Sequence, residues 1–163
     1  KYNMEIQSFK DQSKDYLSIS APSLDTKIKD LTFKIMLNDL MELEQQNLKE
    51  VSKLVVKASS GFKPKQKVQI ALQLSNAKVF GKVVEFDAEV SEIEIPFSEL
   101  IDVPMVLLPN AYPGFQHYWF QSKAELEFDA SLIEALQISI GPDLENQELS
   151  QNQSLSLYQI RLE

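Results

Sequence analysis

The segment Asn110-Ala-Tyr-Pro-Gly-Phe-Gln-His-Tyr-Trp-Phe120 carries the chain's only histidine, its only tryptophan and five of its fifteen aromatic side chains. Pro113-Gly114 in its middle is a turn former, so a loop is expected there rather than a strand interior. Aromatic side chains on a loop held by a rigid scaffold suit sugar recognition. The C–H face of a pyranose packs on an aromatic plane while amide, imidazole or ammonium groups bond its hydroxyls. Trp119, Tyr112 and Tyr118 would supply planes, and His117, Gln116 and Asn110 the polar contacts. The same residues also have a structural reading, in which the loop folds back over one end of the protein. Phe115, Trp119 and Phe120 are then core, and His117 is a hydrogen-bonded structural residue.

Other chemistries find little support. With no cysteine there is no thiol nucleophile, thiolate metal site or disulfide framework, although a domain of this size can be secreted without one. A triad built on His117 lacks the glycine pattern of a nucleophile elbow around any serine. Glu92 and Glu94 lie two apart on one face of a strand whose other face is apolar, the pattern of a solvated sheet face rather than of paired catalytic carboxylates. One histidine cannot supply a zinc site, and four glycines leave no phosphate-binding loop. Calcium needs oxygen ligands alone, and Glu5, Asp11, Asp15, Asp25 and Asp30 gather near the amino end. No D-x-D-x-D-G loop accompanies them, so they read as surface charges, and no cofactor is required while a structural calcium stays open.

The elements that must carry this segment follow from length and rhythm. At 163 residues the chain is one domain with a core of its own, and residues 1–163 are read as a single module. Because it opens Lys1-Tyr2-Asn3, it is expected to be a piece of a longer polypeptide. Its net charge of −8 and single arginine, Arg161, disfavour nucleic acid, and no apolar stretch or signal peptide points to a membrane.

Alternating apolar and polar residues recur in short runs between turns. Met4–Ile6 and Leu17–Ile19 are expected as strands around a turn at 10–15, and Leu31–Leu37 as the next. Asp39-Leu-Met-Glu42 has capping-box spacing and opens a helix or a few helical turns reaching Val51. Strand rhythm returns in 53–58, 68–74, 79–86 and 90–96, then in Met105–Leu108, around Leu126 and Phe128, in Ile133–Ile140 and in Leu155–Leu162. The apolar phase slips between Leu157 and Tyr158, which predicts a bulge or a strand buried on both faces. Nine or ten strands and at most one short helix give an all-β fold: a two-sheet antiparallel β-sandwich of jelly-roll type.

The order Leu54-Val-Val-Lys-Ala-Ser59, Val68-Gln-Ile-Ala-Leu-Gln-Leu74, Val79-Phe-Gly-Lys-Val-Val84 and Ser91-Glu-Ile-Glu-Ile-Pro-Phe-Ser-Glu-Leu100 resembles the galactose-binding-like jelly-roll modules. Leu108-Pro-Asn-Ala-Tyr-Pro-Gly-Phe115, followed by Trp119 and then by Leu132-Ile-Glu-Ala-Leu-Gln-Ile-Ser-Ile140, is similar to accessory domains of bacterial glycoside hydrolases of the agarase and porphyranase kind. The resemblance spans residues 31–162. It implies a noncatalytic carbohydrate-binding module, secreted, periplasmic or at the cell surface, whose partners are a polysaccharide or oligosaccharide and a catalytic domain in the same chain. Its alternative is a structural sandwich that packs on that domain without binding sugar. Such modules bind through loops at one end, which here means Tyr112, His117, Tyr118 and Trp119 with Asn76 and Lys78, or across a concave face, which here means Lys67, Gln69 and Gln73. Many carry a structural calcium.

Overall fold

The alternating runs become strands in a computed structural model that describes residues 5–11, 14–21, 23–24, 30–37, 48–107 and 118–163. In chain order they are β1 (Glu5–Asp11), β2 (Lys14–Ala21), β3 (Leu31–Met36), β4 (Lys53–Ser59), β5 (Lys65–Leu74), β6 (Val79–Asp87), β7 (Ser91–Pro96), β8 (Ile101–Asp102), β9 (Met105–Leu107), β10 (Tyr118–Phe120), β11 (Ile133–Ile140) and β12 (Gln153–Leu162). One short helix, α1 (Asn146–Leu149), precedes the last strand behind a capping box of Glu145 and Glu148. A first antiparallel sheet has the order β1-β2-β12-β4-β7 and a second the order β3-β11-β5-β6-β8, while β9 and β10 pair separately as a two-stranded ribbon. The expected all-β sandwich is the fold observed.

Period-two alternation decides what lies between the sheets. Leu54, Val56 and Ala58 of β4 and Leu155 and Leu157 of β12 meet Val68, Ile70, Leu72 and Leu74 of β5 and Leu136, Ile138 and Ile140 of β11, all of them buried. The predicted phase slip in the last strand is a bulge. Pairing with β4 shifts between Leu157 and Gln159, so Leu155 and Leu157 before it and Ile160 and Leu162 after it all pack on the same core.

Two expectations need correction, and a third lies mostly outside the described residues. The first turn is tighter than 10–15, because Lys10 and Asp11 already pair with Asp15 and Lys14. Leu126 and Phe128 are not on a strand: residues 121–129 have no ladder partner. Their alternation comes from an extended stretch whose Phe128 packs edge-on against Phe80 and beside Phe97, while Leu126 faces solvent. The helix expected from Asp39 falls mostly on residues 38–47, outside the described residues, and Leu48–Glu50 is a single 3-10 turn.

The outer face of the first sheet is an ion-pair lattice. Lys53 meets Glu94 at 2.9 Å and Glu163 at 3.3 Å, and Arg161 meets Glu92 at 2.9 Å and Glu163 at 2.5 Å. Val55 sits beneath it, in register with Arg161 on one side and Glu94 on the other, and is fully buried. The solvated face expected for Glu92 and Glu94 is therefore what the structure shows. Hydrogen bonds from Arg161 hold the carboxyls of Glu92 and Glu163 below the usual range, with Lys53 also acting on Glu163.

Carboxylates with depressed values stabilise the fold above their unfolded value and lose that contribution as pH falls through the folded one. Melting temperature should therefore decline below about pH 4.3, the ordinary glutamate value. The decline should be shallower in Arg161→Met and in high salt. An identical acid profile in the variant would contradict the lattice's role.

The second sheet tolerates no added bulk at Gly81. A Cβ there would lie 2.7 Å from the Cβ of its cross-strand partner Ala71 and 3.0 Å from the carbonyl of Ile70. Gly81→Ala should cost about 1–3 kcal/mol in urea unfolding, and an unchanged midpoint would show that the two strands can separate freely.

Candidate functional site

The outer face of the second sheet is polar at its centre. Register places Thr32, Ser139 and Gln69 in one row, Lys34, Gln137, Ala71 and Gly81 in the next, and Met36, Ala135, Gln73 and Val79 in a third. Alternation directs these side chains away from the sandwich core, yet Gln69, Gln73, Gln137, Ser139, Ala71 and Val79 are all buried. The cover is the chain itself. Val103 and Met105 close with Ala71 and Val79 into a second, smaller apolar cluster, and β9 continues from it into the ribbon with β10.

Polar groups fasten this cover. The side-chain carbonyl of Gln137 accepts the backbone N–H of Val106 at 2.8 Å, and its amide donates to the carbonyl of Pro104 at 3.1 Å. The Val103 N–H donates to the Val79 carbonyl at 2.9 Å. Lys78, only 3% exposed, donates from its ammonium to the Asp102 carboxylate and to the Ser122 carbonyl at 3.1 Å.

Trp119 stands on this ribbon. It is opposite Val106 in register and half-buried, and its indole N–H donates to Asp30 Oδ2 at 3.1 Å. Asp30 Oδ1 lies 3.4 Å from the Thr32 hydroxyl, which itself donates to Ser139 at 2.8 Å. Asp30, Gln69, Pro104, Trp119, Gly141 and Pro142 line a hollow of about 250 Å³. The side-chain carbonyl of Gln69 is buried with no hydrogen-bond partner among the described residues, as is that of Gln73, whose amide donates to Glu134. The hollow thus joins an indole to a carboxylate and an amide, the groups a polyhydroxyl ligand uses. Lys34, in the neighbouring row, has its ammonium value lowered by burial against the attraction of Glu134.

Among the residues singled out from sequence, Tyr112 and His117, with Asn110 and Gln116, lie outside the described residues. Tyr118 is beside Trp119 on the ribbon and 65% exposed. Lys78 is corrected from a ligand contact to a buried fastening, since its ammonium is engaged by Asp102 and Ser122 and does not face solvent. Asn76 is at the far end of β5, where its side chain accepts the Lys78 backbone N–H at 3.2 Å. From Gln69 to Leu74, where that turn begins, is roughly 16 Å along the strand, so Asn76 and Trp119 do not share a site. Asn76 instead borders a larger opening of about 830 Å³ with Leu48, Val51, Phe97 and Phe128.

The concave-face expectation also changes. Gln73 is covered, Gln69 is buried and reaches only the edge of the Trp119 hollow, and Lys67 pairs with Glu148 at 3.3 Å. Asp30, set aside from sequence as a surface charge, is the residue that sequence reading missed at the site, because nothing in its local pattern connects it with a tryptophan 89 positions away. Asp25 lies outside the described residues, and among those described no three carboxylate or imidazole groups gather as a metal site.

No known protein family matches the sequence, and no curated protein does. Solved structures do. The family 11 carbohydrate-binding module of the cellulosomal cellulase Lic26A-Cel5E of Clostridium thermocellum superposes with a TM-score of 0.58 at 12% identity, over 99% of this chain and 81% of that one. The fold is a jelly roll. The same module in complex with a β-1,3-1,4-mixed-linked tetrasaccharide gives a TM-score of 0.58 at 12% identity, over 99% of this chain and 82% of that one. An exo-β-agarase gives 0.56 at 11% identity over 99% of this chain, which matches 22% of the agarase. At these identities what is shared is the jelly roll. No helix among the described residues is long and apolar enough to cross a membrane.

Because Trp119 is the only tryptophan, the protein's indole emission reports on this hollow alone. Asp30→Ala removes the indole's acceptor, and acrylamide should then quench Trp119 more strongly than in the wild type. Equal quenching would show that Asp30 does not hold the ring.

Proposed function

We propose that the chain is a noncatalytic carbohydrate-binding module that holds glycan at the Trp119 hollow. The observation that carries this reading is the meeting of Trp119, Asp30 and Gln69 around one hollow on a jelly roll. A pyranose would lay its C–H face against the indole, and its hydroxyls would donate to the Asp30 carboxylate and bond the Gln69 amide. Stacking on a partly immobilised ring limits the ordering cost of binding. Absence of catalysis fits Glu92 and Glu94, which are engaged by Lys53 and Arg161 on the opposite sheet.

The agarase of which this chain matches a fifth supports residues 1–163 as one module of a longer, secreted or surface-bound polysaccharide-degrading protein. There the module would raise the local concentration of polymer near a catalytic domain.

A second reading, docking on that domain without sugar, is favoured by one feature. Leu107, Tyr118 and Phe120 lie together on the ribbon, 40%, 65% and 38% exposed, as an apolar strip beside the hollow.

Affinity electrophoresis through mixed-linked β-1,3-1,4-glucan and through agarose separates the two. The binding reading predicts retardation by at least one polymer, lost by about tenfold or more in Trp119→Ala. Migration unaffected by a broad polysaccharide panel would leave the docking reading in its place.

A further inference from the structure

Trp119 has a location only if the ribbon does. The ribbon is two three-residue strands, far too little ladder to hold a position on its own. Its Trp119 partner, Val106, directs its backbone N–H away from β10 to the buried amide of Gln137. That amide uses both ends on the ribbon's approach, accepting from Val106 and donating to Pro104, and no part of it is exposed. A second point of attachment brackets the same segment. The Lys78 ammonium holds Asp102, just before the ribbon's first strand, and the carbonyl of Ser122, just after its second.

We infer that Gln137 and Lys78 form a two-point clamp that sets the place of Trp119, making them positioning residues for glycan binding though neither touches the glycan. The inference rests on the proposed binding role, but its first consequence does not. Without the Gln137 amide, the buried Val106 N–H and the part-buried Pro104 carbonyl lose the partner that holds them. They regain partners when the ribbon lifts and water enters. Removing the Lys78 ammonium frees both ends of the segment in the same sense. In either case Trp119 moves toward solvent while the sandwich core, which contains neither residue, stays packed.

The test compares Gln137→Met and Lys78→Met, which keep volume and remove the polar group, with Gln66→Met. Gln66 is an equally buried glutamine whose amide donates to Lys67 and accepts from Ser154 on the core side of the second sheet. Far-UV circular dichroism and melting report the sandwich, Trp119 emission and acrylamide quenching report the ribbon, and affinity electrophoresis in mixed-linked β-glucan and agarose reports binding. The clamp predicts a redder, more quenchable Trp119 and about tenfold weaker binding in the first two variants. Gln66→Met should lower the melting temperature yet leave the emission as in the wild type.

Unchanged emission in both clamp variants overturns the inference, as does an equal shift in Gln66→Met, which would mean general loosening. Shifted emission with full affinity overturns the link to binding. A wild type that binds no glycan overturns the functional reading, while the emission still decides the clamp.

Discussion

A sheet face that carries Gln69, Gln73, Gln137 and Ser139 cannot be closed by apolar side chains alone, because each buried amide and hydroxyl must find a partner or cost the full penalty of desolvation. The outer face of the second sheet meets this constraint with its own chain. Small residues at Ala71, Gly81 and Ala135 leave a shallow trough, Val103 and Met105 fill it against Ala71 and Val79, and Gln137 bonds the backbone laid over it. Everything specific in the molecule follows from that cover. It roofs the central face, places a tryptophan at the cover's edge, and leaves two glutamine carbonyls, on Gln69 and Gln73, without partners among the described residues.

Local rhythm carries most of the sandwich. Ile133–Ile140 and the slip at Leu157 were legible because burial on one face imposes period two, and a change of phase has few structural meanings. The same rule says which way Gln69 and Gln73 point but not what lies over them. A covering segment more than thirty positions away leaves no trace in the local pattern. The misreading of Lys78 has the same origin. A lysine in a hairpin connection looks solvated until a carboxylate and a carbonyl from later in the chain enclose it. Leu126 and Phe128 alternate like a strand although no strand among the described residues pairs with them, since an extended segment that caps a core produces the same spacing. The site was half legible: Trp119 drew notice by its rarity, whereas its companions Asp30 and Gln69 are ordinary residues brought to it by the fold.

Two faces of the sandwich therefore have different physics. The first sheet presents solvated ion pairs over Val55, which tune stability and offer nothing to a ligand that is not charged. The second presents a roofed polar face with an aromatic edge. Recognition by a half-buried ring, a carboxylate and an amide is suited to neutral, hydroxyl-rich ligands, and the jelly roll is a scaffold rigid enough to keep those groups in place.

In the proposed binding mode a glycan contacts Trp119. A single tryptophan gives a single indole N–H signal in a proton–nitrogen correlation spectrum, and that hydrogen is the one held by Asp30. Titration with mixed-linked β-1,3-1,4-glucan and agaro-oligosaccharides should move this signal saturably with at least one of them. A signal that stays fixed while the protein demonstrably binds the glycan would place the binding site elsewhere and contradict the account.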